Sequence, residues 1–284
     1  MRRCAVIGNP IAHSLSPLLH RTAYAQLGIA DEFRYDAFEV TPETLPGFLA
    51  GLGDEWVGLS VTAPNKQALL DHGEPDPVAA ALRAGNTLIL GRGGKPNRIY
   101  NTDVTGLLAA LDRAGVNRAS TAILLGNGAT ARSALWAAGR LGVREVVVCA
   151  RDAARALASL ADIATRAEVE LAVQPFGRPP ELPAAWGGQA DLLISTVPVR
   201  LPPELASALV KLASTVFDVV YNFYPSQLDK AAAEAGVALL DGLDLLVSQG
   251  VDQIRLMTGR DADPAPLLTV CRAEVLRRTS GKEF

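Results

Sequence analysis

Three polar residues stand where they could do chemistry together: Lys66 in "SVTAPNKQALL", Asn86 at the head of "NTLIL", and Asp103 closing "YNTD". Only five of the 27 basic residues are lysines, and this one follows a strand-forming run, residues 59–62, and Pro64. The apolar pattern after it predicts a helix with Lys66 in its first turn, where the dipole disfavours a cation and would lower its pKa. A lysine tuned in that way, its ammonium held by a carboxylate, is a proton donor for an alkoxide forming at a carbonyl. Asp103 falls at the end of one predicted strand and Asn86 at the start of another, and polar groups at strand ends can converge on one crevice. For any one such lysine a solvated helix face is the commoner fate. For the set it is not.

A second group of residues suits a nucleotide. Gly126-Asn127-Gly128-Ala129-Thr130-Ala131 follows the predicted strand "TAILL" and opens a predicted helix that runs through Leu141. This is a G-x-G-x-x-A form of the dinucleotide fingerprint. The first glycine permits the tight turn, and the second lets the backbone approach a pyrophosphate at the helix N-terminus. The same six residues could be an ordinary strand–helix turn, but the flanking pattern fits the nucleotide on both sides. The next strand ends in Cys149-Ala150-Arg151-Asp152, with Arg155 a turn later. An NAD site usually carries an acidic residue there for the ribose hydroxyl. Arg151 instead suits a 2′-phosphate, through charge-assisted hydrogen bonds. The expected cofactor is therefore NADP, with NAD as the alternative because Asp152 either repels that phosphate or caps the helix.

These residues have to be positioned by an α/β scaffold. The chain has 284 residues, 49% hydrophobic and 20% charged, enough for two domains with well-buried cores. A formal charge of −3, with no basic block, gives no reason to expect nucleic-acid binding. Cys4, Cys149 and Cys271 are odd in number and match no metal spacing, which predicts reduced thiols, no metal site and a cytoplasmic protein. The N-terminal apolar run ends at Asn9-Pro10, too short for a signal-peptide core, and no apolar stretch could span a membrane.

Strands are predicted at residues 4–8, 33–40, 56–62, 87–90 and 98–100. Helices are predicted at residues 16–27 (capped by Ser16), 42–50, 78–83 and 106–114. From Thr121 strands and helices alternate, the signature of a parallel doubly wound sheet, and from Leu243 the chain is mostly helical. The fold class is α/β in two domains. Residues 1–104 and 242–284 form an N-terminal α/β domain to which the C-terminal helices return. Residues 105–241 form a Rossmann-type dinucleotide-binding domain.

The sequence resembles the shikimate dehydrogenase family. The likeness is carried by "GNPIAHSLSPLLH" (8–20), "SVTAPNK" (60–66), "GNT" (85–87), "NTD" (101–103), "GNGATAR" (126–132), "STVP" (195–198), "DVVY" (218–221) and "DGLDLLVSQ" (241–249), in family order over nearly the whole chain. The resemblance implies an NADP-dependent enzyme of aromatic amino-acid biosynthesis, monomeric or homodimeric, interconverting 3-dehydroshikimate and shikimate in a cleft between a substrate domain and a Rossmann-type domain. It implies Lys66 and Asp103 as the catalytic pair, and Ser14 and Ser16 as binders of the substrate carboxylate. Thr62, Asn86, Tyr221 and Gln249 would bind hydroxyls or line the ring. The glycine loop (Gly126, Asn127, Gly128, Ala129, Thr130, Ala131), Arg151, Thr196, Val219 and Gly242 would contact the cofactor. His13 and His20 receive no catalytic role; His20 sits on a helix and is expected to pack or cap.

The sequence departs from the family's common pattern at four places. Ser60 stands for a frequent Asn, Ala63-Pro64-Asn65-Lys66 for "VPFK", Val104 for a frequent Gly, and Ala150-Arg151-Asp152 for "NRT". Quinate or aminoshikimate as substrate, or a nucleotide-binding regulator without catalysis, are the alternatives.

Overall fold

The structure is a computed structural model that describes residues 1–221 and 223–280. It divides into two compact units. One comprises Met1–Gly106 with Leu246–Glu274, and the other Leu107–Leu245 with the chain from Val275 onward.

The first unit contains β1 (Arg2–Gly8), α1 (Ser16–Gln26), β2 (Phe33–Glu39), α2 (Leu45–Ala50), β3 (Trp56–Val61), a 3₁₀ turn (Ala68–His72), β4 (Glu74–Pro75), α3 (Pro77–Leu82), β5 (Thr87–Ile89), β6 (Arg98–Tyr100) and the start of α4 (Asp103–Arg113). Its sheet has the order β2-β1-β3-β5-β6-β4. The central strand β1 reads as a continuous apolar run because it is buried on both faces, whereas β2 at the edge alternates. β1 runs parallel to β2 and β3, and β5 runs antiparallel to both β3 and β6. The carboxyl ends of β1, β3 and β6 and the amino end of β5 therefore share one edge of the sheet, where residues 9–16, 62–66, 86 and 101–103 emerge.

Local structure differs from the sequence reading at two of these points. Lys66 is not in the first turn of an α-helix. It lies in a turn between β3 and the five-residue 3₁₀ turn, which stops at Gly73, so the helix-dipole argument for its placement has no basis. Ser16 is not the cap of α1 but its first residue; the cap position is Leu15, with no side-chain cap bond, and the Ser14 hydroxyl before it accepts the Ser16 N–H at 3.2 Å.

In the core of this unit His20 is fully buried and stacked on Tyr35, with ring centroids 3.8 Å apart, and Nδ1 lies 3.5 Å from the Tyr24 hydroxyl. Burial pushes the imidazole down from 6.5 to about 3, so it is neutral in the folded protein. The unfolded chain binds a proton below about pH 6.5 that the native state refuses, so this group's stabilising contribution is full above that pH and is lost as pH falls toward 3. We expect wild-type stability to fall through this window and His20→Phe to flatten the slope, read by denaturant melts at several pH values. An unchanged slope would show that His20 titrates normally.

The second unit contains β7 (Thr121–Leu125), α5 (Ala129–Leu141), β8 (Glu145–Ala150), α6 (Ala153–Ala167), β9 (Glu170–Pro175), a 3₁₀ turn (Ala184–Trp186), β10 (Ala190–Ser195), α7 (Pro203–Lys211), β11 (Ala213–Asp218), α8 (Gln227–Ala235) and β12 (Ala238–Leu240). All six strands are parallel, in the order β12-β11-β10-β7-β8-β9. Counted within the unit this is 6-5-4-1-2-3, the doubly wound dinucleotide-binding order, and the topological switch point lies between β7 and β10. Two further helices, α9 (Gly242–Thr258) and α10 (Pro264–Ser280), follow among the described residues. The sequence reading did not mark β9, α7, α8 or β12. β9 is an edge strand with half its residues at the surface, and β12 has three residues.

All three cysteines are buried and form no disulfide, and burial pushes each thiol up to about 11. Among the described residues no helix is long and apolar enough to cross a membrane, and no group of three or more His, Cys, Asp or Glu side chains is gathered for a metal ion.

Candidate active site and cofactor loop

In the first unit the turn after β3 is fixed by its own backbone. Asn65 N–H donates to Thr62 O at 3.0 Å, the fully buried Asn65 amide donates to Val40 O at 2.8 Å, and Gly85 N–H donates to Lys66 O at 2.8 Å. Asp103 is the first residue of α4, and its N–H donates to the Asn101 side chain at 3.0 Å. These supports bring Lys66 Nζ to 2.6 Å from Asp103 Oδ2. The other carboxylate oxygen accepts from Asn86 Nδ2 at 2.9 Å. The Asn86 carbonyl oxygen in turn accepts the Thr102 N–H at 2.8 Å. With the side chains 17% and 8% exposed, the pair is largely shielded from bulk water. An ammonium has three N–H groups, so one holds Asp103 and the others can serve a ligand oxygen.

Gln249 joins the same cluster from α9. Its Oε1 lies 3.4 Å from the Thr102 hydroxyl and 3.5 Å from Asn86 Nδ2, and its amide donates to Leu246 O at 2.9 Å. Gly106 permits this approach: a Cβ there would stand 2.8 Å from both the backbone nitrogen and the Cβ of Gln249. Lys66, Asp103, Asn86 and Gln249 are thus linked by contacts. Thr62, Ser14 and Ser16 emerge at the same sheet edge without a hydrogen bond to those four. Thr62 packs over Gly8, where a Cβ would meet its methyl at 2.4 Å. Sequence reasoning missed Gln253 and Tyr35 and marked Ser60 only as a departure from the family pattern; all three are buried and joined by hydrogen bonds behind Asn86. The signal for Gln253 was its spacing, one turn from Gln249 in an otherwise apolar helix stripe.

In the second unit the glycine loop joins β7 to α5. Gly126 has φ +102°, and a Cβ there would meet Thr196 Oγ1 at 2.6 Å, so only glycine fits. Thr196 is held in place because its hydroxyl donates to Leu125 O at 2.8 Å. Gly128 is the N-cap of α5 with no side-chain cap, and a Cβ there would have nothing within 4 Å. The first-turn N–H groups and open space at Gly128 fit a pyrophosphate. The loop is braced from α6: Asn127 donates to the Ser159 hydroxyl at 3.2 Å, which donates back to Asn127 O at 3.1 Å, and Arg132 pairs with Asp162 at 2.7 Å.

Asp152 caps α6, accepting the Arg155 N–H at 3.0 Å. Its carboxylate therefore takes the capping role that the sequence allowed it. Arg151 and Arg155 are exposed and form no ion pair among the described residues. Val219 N–H donates to Ser195 O at 3.0 Å, and Gly242 lies against the backbone of Val219 and Tyr221. Beside them Asp218 is buried at the end of β11, and desolvation pushes its carboxyl up to about 6.

Residues 6–88 match the family model of the shikimate dehydrogenase substrate binding domain. The chain is 33% identical to the NADP⁺ shikimate dehydrogenase of Moorella thermoacetica over 98% of this chain and 94% of that one, and 37% identical to that of Anaeromyxobacter dehalogenans over 94% of each. Among solved structures it resembles the shikimate dehydrogenase of Mycobacterium tuberculosis (32% identity, TM-score 0.84, 96% of this chain and 100% of that one). It also resembles the Thermus thermophilus enzyme in complex with NADP(H) and shikimate (30%, TM-score 0.80, 96% and 99%). A third likeness is to the 5-ketofructose reductase of a Gluconobacter strain (26%, TM-score 0.84, 96% and 98%). With the doubly wound sheet and its glycine loop, these relatives place the chain among the NAD(P)-dependent oxidoreductases. Within that class it belongs to the shikimate dehydrogenase family.

Proposed function

We propose that the chain catalyses the reversible NADPH-dependent reduction of 3-dehydroshikimate to shikimate. The observation that carries this reading is the shielded Lys66–Asp103 pair, steadied by Asn86 at the edge of the first sheet. NADPH, when bound, supplies the hydride. Lys66 delivers a proton to the carbonyl oxygen as it becomes an alcohol and takes it back in the reverse direction. Asp103 holds the ammonium toward that oxygen and accepts from a neighbouring substrate hydroxyl. Ser14 and Ser16 bind the ring carboxylate, and Thr62, Asn86, Gln249 and Tyr221 its hydroxyls and ring.

In this assignment residues 1–104 and 242–284 form the substrate domain and residues 105–241 the cofactor domain. The cofactor rests on Gly126, Asn127, Gly128, Ala129, Thr130 and Ala131, with Arg151 on its 2′-phosphate and Thr196, Val219 and Gly242 along its length. The protein acts in the cytoplasm as a monomer or homodimer, on a small-molecule substrate, without nucleic-acid or membrane partners.

The solved relatives include a reductase of a different polyhydroxy ketone. The ring-hydroxyl pattern is therefore the variable to test. Shikimate, quinate and aminoshikimate compared with NADP and NAD should give the highest kcat/KM for shikimate with NADP. Activity confined to the amino substrate would overturn the assignment. Replacing Arg151 by alanine should raise the KM for NADPH about tenfold, the worth of one charge-assisted phosphate contact, and leave the NADH parameters unchanged. Equal losses with both cofactors would remove Arg151 from the phosphate site.

A further inference from the structure

Behind the Lys66–Asp103 pair the structure holds a chain of hydrogen bonds in which every donor has an acceptor. Tyr35 donates to the Ser60 hydroxyl at 2.6 Å, and Ser60 donates to Gln253 Oε1 at 2.7 Å. That fixes the Gln253 amide with its nitrogen forward. Nε2 then donates to Asn86 O and to the Thr87 hydroxyl, both at 3.0 Å. The Thr87 hydroxyl donates to Asn86 Oδ1 at 3.0 Å. With Oδ1 receiving Thr87 and the Thr102 N–H, the Asn86 amide can present only its nitrogen to Asp103. Were the Asn86 amide reversed, a carbonyl would face the carboxylate and two donors would be left without an acceptor, which is costly at a buried site. Gln253 is 1% exposed, and Tyr35, Ser60, Asn86 and Thr87 are buried with it.

We infer that Gln253, one helical turn beyond Gln249 on α9, is a positioning residue for the reaction: through Thr87 it sets the orientation of Asn86 and so holds Asp103 and Lys66 in register. It touches neither substrate nor cofactor in the proposed mechanism. This inference rests on the proposed oxidoreductase reading for its kinetic readout, but its structural content can be tested without turnover.

The variants are Gln253→Met, which keeps the volume and loses both ends of the relay, and Gln253→Glu, which keeps the shape and loses the donor. Both should lower kcat about tenfold, the lower end of what losing a supporting hydrogen bond costs an active site, with KM for shikimate within about twofold. Ile29→Val, a core truncation on another part of the unit, should reduce stability and leave kcat unchanged. In an Asn86→Ala background Gln253→Met should cost nothing further, because the residue it acts through is gone. Independently of activity, Gln253→Glu should shift the Asn86 side-chain amide resonances in the ligand-free protein, whereas Ile29→Val should not. A kcat within twofold of wild type for Gln253→Met, a full additional loss in the Asn86→Ala background, or unmoved Asn86 amide resonances would overturn the inference. Absence of wild-type turnover with a shifted amide signal would count against the enzymatic reading and leave the relay standing.

Discussion

Lys66→Met lowers kcat for shikimate oxidation by about a thousandfold while the affinity for NADPH stays at the wild-type value. Positioned general acids and bases contribute about 10²–10⁴ in rate, and Lys66 is the lysine held against Asp103 at the sheet edge. Methionine keeps most of the aliphatic stem and removes the ammonium, so the change isolates the proton donor from packing. The residues proposed to hold the cofactor all belong to the second unit, with its own sheet and its own core. A stopped assay for kcat and a titration of NADPH fluorescence check the two halves of this expectation. A residual kcat within tenfold of wild type would mean that another group, or water held elsewhere, moves the proton.

Asp103→Asn damages both catalysis and stability, although it changes only one atom's identity. The carboxylate accepts from Lys66 on one oxygen and from Asn86 on the other, at 2.6 and 2.9 Å. An amide has one acceptor oxygen, so whichever way it turns, its NH₂ group confronts a second donor. A buried donor left without an acceptor costs about 1–3 kcal/mol, and the ammonium also loses its counter-charge. We expect kcat to fall about a hundredfold and the denaturation midpoint to drop measurably. Asp103→Ala should be the less destabilising substitution of the two, since it opens room for water instead of setting a donor against a donor. Asn at 103 with wild-type stability would show that the two contacts are not made together in solution.

The sequence carried much of this arrangement because the relevant signals were local. The glycine loop announces itself by lying between a compact apolar strand and a helix, and in the structure it does so at the switch point of a doubly wound sheet. Lys66 and Asp103 could be paired only as a hypothesis, since 37 residues separate them and nothing in their spacing encodes contact. The contact is made by strand order: β5 runs antiparallel between β3 and β6 and brings Asn86 between the two.

What stayed illegible shares one cause. The apolar run after Lys66 has a helical period, but Gly73 and the pairing of Glu74 with Arg98 cut it to a 3₁₀ turn, a tertiary effect that periodicity does not register. Ser16 has the composition of a cap, yet the helix starts one residue earlier than that role needs: Leu15 holds the cap position, and the loop after β1 places the Ser14 hydroxyl against the Ser16 N–H. Gln253 and Tyr35 drew no notice, and Ser60 only as a departure from the family pattern, since a buried polar relay leaves no pattern in any single segment.

The account stands most directly on one reaction mixture: the purified chain, shikimate and NADP⁺, with reduced-nicotinamide absorbance followed in time and the organic product identified by mass spectrometry. It predicts NADPH appearing mole for mole with a product lighter than shikimate by two hydrogens, and neither appearing with Lys66→Met. Shikimate recovered unchanged, while NADP⁺ binds the protein normally, would contradict it.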